Sequence, residues 1–191
     1  MKKKVIVFVS ACLGTALVLI GCNENKAADT AGNSISKDSL ISRGSYLVAT
    51  IGCGDCHSPK LMTPRGPVPD TARLLSGHRS NVTLPAVNAA ALKDGWALFY
   101  GENTAMVSPL GISYAANITS DSTGIGNWSF EQFTIAMTKG KYKGIESNRN
   151  LLPPMPWQNF AGMKSEDLKA IYTYLQSTKP VNNVVPQAQI N

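Results

Sequence analysis

The sequence predicts a mainly α-helical domain over residues 39–191, and three observations predict it. Apolar residues recur at helical spacing in three separate stretches, 40–51, 130–137 and 168–175. Each stretch has its own start or stop signal of the capping kind. A Cys-x-x-Cys-His segment, Cys53-Gly54-Asp55-Cys56-His57, follows directly on the first stretch. With 191 residues and a 43% hydrophobic composition, the chain suits one globular domain plus an N-terminal addition.

That addition comes first. Lys2, Lys3 and Lys4 precede an uncharged apolar run from Val5 to Ile20, the pattern of a secretory signal over residues 1–21. Leu19-Ile20-Gly21-Cys22 resembles the lipobox of bacterial lipoproteins, which implies that Cys22 becomes the lipidated N-terminus. An uncleaved membrane anchor is the alternative reading of the same run. Residues 22–38 are rich in Asn, Ala, Ser and Lys with little to bury, the composition of a tether. The sixteen residues after Cys22, 23–38, span roughly 20 Å on average and reach about 55 Å when extended. The formal net charge of +6 falls to +3 once the three leader lysines are removed, an excess too small to suggest nucleic acid.

Within the folded part, Ser39 is placed to cap a first helix whose stripe is Leu40, Ile41, Gly44, Leu47, Val48 and Ile51, ending at Gly52. A second helix has the capping-box pair Ser129 and Gln132, an apolar face of Phe130, Phe133 and Met137, and Gly140 as its stop. The last begins at Ser165, places Glu166 and Asp167 in its electropositive first turn, and presents Leu168, Ile171, Tyr172 and Leu175 on one face. Pairing of the first and last helices is expected, because Gly44 leaves a gap in the stripe where two backbones can approach. Between Pro59 and Asn117 the chain is rich in Pro, Gly and Ser, and its short apolar runs at Trp96–Tyr100 and Ile112–Ala116 are too brief to separate strand from coil. The expectation is a long ordered insertion packed over the helices.

The Cys53–His57 motif is the informative chemistry. Two thiols one helical turn apart can each add to a vinyl group of one porphyrin, and the adjacent imidazole can then reach the iron from below. Covalent haem is therefore expected. A structural zinc site needs four ligands, and outside the motif the folded part has no further cysteine and one further histidine, His78. A redox dithiol would open a helix in a strand-helix-strand unit, which this sequence lacks. A carbonyl from Gly66-Pro67-Val68-Pro69 is expected to accept the other ring hydrogen of His57.

For the opposite face of the iron the candidates are Met62, His78, Met106, Met137, Met155 and Met163. Met155 is preferred, since Pro153, Pro154 and Pro156 stiffen its loop and leave little entropy to lose. Thioether ligation favours reduced iron and raises the potential. No catalytic residue is assigned. Lys139, Lys141, Lys143 and Arg149 form either a docking patch for an acidic partner or a solvated loop.

From about Ser39 to Val181 the chain resembles a class I cytochrome c, and more narrowly the haem modules of cytochrome subunits that serve periplasmic dehydrogenases. The resemblance rests on Arg43-Gly44-Ser45-Tyr46-Leu47, the haem motif, Asn117-Ile118-Thr119-Ser120-Asp121, Thr123-Gly124-Ile125-Gly126-Asn127-Trp128 and Pro153-Pro154-Met155-Pro156-Trp157. Such subunits commonly carry three haem motifs where this sequence has one, and they tend to have proline where Ser120 stands. The resemblance implies a cytochrome c-like helical fold around one haem c, with Asn117 and Trp128 near the haem, an Asn117 or Trp128 polar atom reaching a propionate, and Trp157 beside the ligand loop. It implies a single-electron carrier, which the lipobox at Cys22 would anchor by lipid on the periplasmic side of a bacterial membrane. Its partners would be a dehydrogenase, a quinol-oxidising complex or a terminal oxidase. The alternatives are a haem enzyme, peroxidase-like or sulfur-oxidising, and a gas-sensing haem protein, both of which require an open iron site.

Overall fold

A computed structural model describes residues Ile35–Asn191; the leader, Cys22 and most of the tether lie outside them. Among the described residues five helices, α1 (Lys37–Ile51), α2 (Cys53–His57), α3 (Ala89–Lys93), α4 (Phe130–Lys139) and α5 (Ser165–Gln176), combine with six short strands. The strands are β1 (Lys60–Thr63), β2 (Gly66–Pro69), β3 (Leu98–Phe99), β4 (Ala105–Ser108), β5 (Gly111–Tyr114) and β6 (Gln189–Ile190).

The first helix starts three residues earlier than a Ser39 cap would place it. Ser36 is the cap, and its hydroxyl accepts the Ser39 N–H at 3.2 Å. Asp38 then falls in the first turn, where its charge suits the helix dipole. The other two long helices begin where their signals lie. Ser129 and Gln132 exchange both bonds of the capping box, and Gly140 ends α4 in the left-handed conformation. Glu166 and Asp167 occupy the first turn of α5.

The core is the seam between α1 and α5, extended by α4. Val48, Leu75, Ile125, Phe133, Leu168, Ile171 and Leu175 are buried together, each side chain contributing roughly 1.5–3 kcal/mol by leaving water. Gly44 makes the seam possible: a Cβ there would meet the Ala170 main chain and lie 2.6 Å from Tyr174 Cβ. Arg43 and Asp167 close the outer edge of the same pair of helices with an ion pair.

The stretch between Pro59 and Asn117 holds two small antiparallel sheets. One is the β1–β2 hairpin, with Lys60 opposite Pro69 and Thr63 opposite Gly66. The other has the order β3-β4-β5-β6, and its last strand comes from the C-terminal end of the chain. Asn183 fastens that C-terminal segment down. Its amide donates to the Ser76 and His78 carbonyls at 2.7 and 2.8 Å, and its oxygen accepts from Ser80 N–H at 3.0 Å. Among the described residues no helix is long and apolar enough to cross a membrane.

Candidate haem-attachment site

The Gly52 residue that ends α1 also begins α2, so the single turn carrying Cys53, Cys56 and His57 is set rigidly on the end of the core helix. Both cysteines are free thiols and half-buried, and Cys53 packs against the core. Burial pushes the Cys53 thiol up to about 11. It raises Cys56 as well, against the pull of the Lys60 ammonium. Redox-active dithiols have depressed values, the opposite of both shifts here. Among the described residues no group of three or more His, Cys, Asp or Glu side chains could hold a metal ion, which leaves a zinc site without its donors.

His57 is fixed by one bond. Its Nδ1 lies 2.7 Å from the Ala116 carbonyl, and because a carbonyl only accepts, Nδ1 bears the hydrogen. Nε2 takes no hydrogen bond among the described residues, so its lone pair remains for a metal. Burial lowers the His57 pKa, outweighing the Ala116 bond, which favours the neutral ring, the form that ligates. The orienting carbonyl is thus Ala116, not one in the 66–69 stretch. That stretch is β2, whose main chain is committed to the β1 ladder and whose Gly66 carbonyl accepts the Thr63 hydroxyl. Two half-buried sulfurs within one turn and an imidazole with one nitrogen tied and one free are the donor set that haem c requires, and the residues present fit that group.

Gly77 supports the Ala116 carbonyl from behind. Its N–H donates to the His57 carbonyl at 2.7 Å, its φ is 76°, and a Cβ would sit 2.5 Å from Ala115 O and Ala116 C. Gly77→Ala is expected to displace the Ala116 carbonyl and to destabilise the fold by about 2–3 kcal/mol, through left-handed strain and overlap together. Thermal unfolding measures it; an unchanged midpoint would contradict this placement.

Met155 is half-buried on the loop between α4 and the 3₁₀ turn Trp157–Phe160. Three bonds shape that loop: Leu151 N–H to Gly140 O at 2.6 Å, Met155 N–H to Leu152 O at 3.2 Å, and the Ser113 hydroxyl to Pro153 O at 2.7 Å. The Trp157 ring lies over Gly140, where a Cβ would come within 2.6 Å of its Cγ. Ser113 lies close to Ala116 in sequence, so one short run of chain holds both the Met155 loop and the His57 ring.

The remaining candidates are placed otherwise. Met62 is exposed at the β1–β2 hairpin, Met106 is buried in β4, and Met137 and Met163 pack on the core. His78 is fully buried, with Nδ1 accepting from the Thr104 hydroxyl at 2.9 Å, Nε2–H directed at Val82 O at 3.4 Å, and the Tyr114 ring 4.9 Å away. Both its nitrogens are engaged by the protein. Asn117 is buried, and its side chain is also consumed internally: Nδ2 donates to Thr123 Oγ1 and Val181 O, and Oδ1 accepts from the N–H and hydroxyl of Thr119. It organises a loop. Trp128 packs against the core, and its carbonyl accepts the Tyr172 hydroxyl at 2.7 Å. Lys139 pairs with Glu146, and Lys143 and Arg149 lie over the Tyr142 ring, so three of the four basic residues are used locally.

Burial holds the His78 pKa below the ordinary imidazole value, outweighing the Val82 carbonyl and Glu102. The unfolded chain therefore binds a proton near pH 6.5 that the folded chain takes up only at lower pH. Stability is expected to be level above about pH 7 and to fall as pH drops through about 6.5. Thermal midpoints of parent and His78→Gln check this, the variant being expected to lose less between about pH 6.5 and 5. A midpoint that rises on acidification would contradict it.

Several residues that build the site gave no sequence signal. A main-chain carbonyl such as Ala116 O is invisible in a residue pattern, and Gly77, Lys60, Glu102 and Asn103 gain meaning only from what the fold brings beside them.

No family model matches the chain. Three curated proteins are informative by similarity. Fructose dehydrogenase cytochrome subunit of Gluconobacter japonicus is 34% identical over 184 residues, 95% of this chain and 30% of that protein. Gluconate 2-dehydrogenase cytochrome c subunit of Pantoea cypripedii is 29% identical over 177 residues, 92% of this chain and 30% of that protein. The cytochrome c subunit of the quinone alcohol dehydrogenase of Gluconobacter oxydans is 27% identical over 175 residues, 91% of this chain and 27% of that protein. The chain thus spans less than a third of the length of each, and over nearly its whole described extent it is similar to cytochrome c subunits of dehydrogenases, proteins whose name implies haem c.

Proposed function

We propose that this chain is a membrane-tethered c-type cytochrome with one haem, moving single electrons between redox proteins on the periplasmic side of a bacterial membrane. The observation that carries the reading is the His57 geometry: Nδ1 tied to Ala116 O, Nε2 free, and two half-buried thiols within the same turn. When bound, the haem supplies a one-electron ferric/ferrous couple. The chain's own residues do the rest. Cys53 and Cys56 hold the cofactor through thioethers, so that it survives partial unfolding of an exported protein. His57 ligates from one side, with its ring orientation set by Ala116. Met155 ligates from the other on a loop stiffened by Pro153, Pro154 and Pro156 and pinned by Ser113. With His57 and Met155 both given to the iron, no proton or substrate would need a binding place there, and the protein's task would be to keep its own residues arranged alike in both oxidation states.

The relatives' names point to a dehydrogenase as the first candidate for donor; a quinol-oxidising complex would likewise donate, and a terminal oxidase would accept. Cys22 carries the lipid, and residues 22–38 let the domain reach those partners while raising its local concentration near them.

Carbon monoxide tests the carrier reading. The reduced holoprotein is expected to show a low-spin spectrum that the gas leaves unchanged. Rapid binding would support a haem enzyme or a gas sensor instead. Incorporation of labelled fatty acid at Cys22, abolished in Cys22→Ser, tests the tether.

A further inference from the structure

Behind α2 lies a polar cluster that the electron-carrier reading leaves unused. Lys60, three residues past His57, folds its ammonium back over the end of that helix. Nζ donates to Asp55 O at 2.7 Å, Ser58 O at 2.9 Å and Glu102 O at 3.2 Å. The 102–103 turn returns the contact from its side. Glu102, 8% exposed, accepts the Lys60 main-chain N–H at 3.2 Å, and Asn103 Nδ2 donates to Asp55 O at 3.2 Å and approaches Cys56 Sγ at 3.7 Å. Of the carboxylates nearby, Glu102 pairs with Arg79 at 3.5 Å and Asp70 with Arg79 at 3.4 Å, while Asp55 on α2 forms no ion pair among the described residues. Lys60 forms no ion pair among the described residues. Its charge rests on neutral main-chain oxygens, one turn of helix from the attachment sulfurs.

We propose that Lys60 is a positioning residue of the haem site, which clamps the end of α2 to the 102–103 turn and biases the bound iron towards its reduced state. The inference rests on the haem reading above. A cation close to the iron disfavours the form with the greater positive charge, so it raises the reduction potential, and partial burial keeps the solvent from screening it fully. Glu102, a buried anion on the same turn, acts in the opposite sense. A purely structural clamp would loosen the helix whichever partner were removed. An electrostatic one gives shifts of opposite sign.

The experiment is a potentiometric titration of the parent, Lys60→Met, Lys60→Arg and Glu102→Gln holoproteins, followed by absorbance. Lys60→Met is expected to shift the midpoint downward, Glu102→Gln upward, and Lys60→Arg to stay beside the parent, all with the same low-spin spectrum. Shifts in the same direction, or none, in Lys60→Met and Glu102→Gln would overturn the proposal. If Lys60→Met does not accumulate with haem, the other two decide: an upward shift in Glu102→Gln with none in Lys60→Arg supports it, and any other pair of results overturns it. A coloured parent with the wrong shifts defeats this inference alone, whereas a colourless parent defeats the haem reading beneath it.

Discussion

Met155→Ala is expected to yield a holoprotein whose reduced form binds carbon monoxide and whose potential lies well below that of the parent. A thioether stabilises ferrous iron, and axial ligands as a class move haem potentials over about 0.8 V, so the loss should stand far outside experimental scatter. Four of the competing side chains are held by the protein, and the fifth, Met62, is exposed on the β1–β2 hairpin. Met106 is sealed in β4, Met137 and Met163 pack on the core, and both nitrogens of His78 face protein groups. Met155 stands on a loop whose shape is fixed from two directions, by Gly140 beneath Leu151 and Trp157 and by Ser113 at Pro153. A variant with unchanged potential and no carbon monoxide binding would remove Met155 from the iron.

The largest effect on stability is expected from Gly44→Ala. In a free helix this change is favourable by about 1 kcal/mol. Here the new methyl group would run into the Ala170 main chain, and main chain in the middle of α5 cannot turn aside as a flexible side chain would. The helices must part along the seam that buries Val48, Leu168, Ile171 and Leu175. Overpacking of this kind costs about 3 kcal/mol at the upper end of its usual range, a fall of roughly 6–12 °C in the thermal midpoint for a domain of this size. A midpoint equal to or above the parent's would show that α1 and α5 do not meet at Gly44.

The same seam shows what the sequence made legible. A glycine within an apolar stripe announces a close approach, and the capping box at Ser129 and Gln132 announces a helix start, because both signals are local and belong to side chains. Ser36 escaped for a local reason too. Residues 36–38 share the composition of the tether before them, and apolar spacing begins only at Leu40. The sheets were hidden by length and distance. A two-residue strand such as Leu98–Phe99 has no period, and the partner that completes the second sheet, Gln189–Ile190, comes from the far end of the chain. At the site, the cysteines and His57 were readable from spacing, whereas the groups that orient them were not. Ala116 acts through its carbonyl, Gly77 through the absence of a side chain, and Lys60 through a turn of chain 42 residues away. The bonds by which Asn117 holds Thr119, Thr123 and Val181 together were equally hidden, because they tie a local turn to a segment far away in sequence.

The most direct measurement is the intact mass and pyridine haemochrome spectrum of the chain produced alongside haem-maturation machinery. A coloured protein, heavier than its processed polypeptide and lipid by one haem that denaturation and acid-acetone extraction do not remove, is the predicted result. A colourless product at the mass of polypeptide and lipid alone would contradict it.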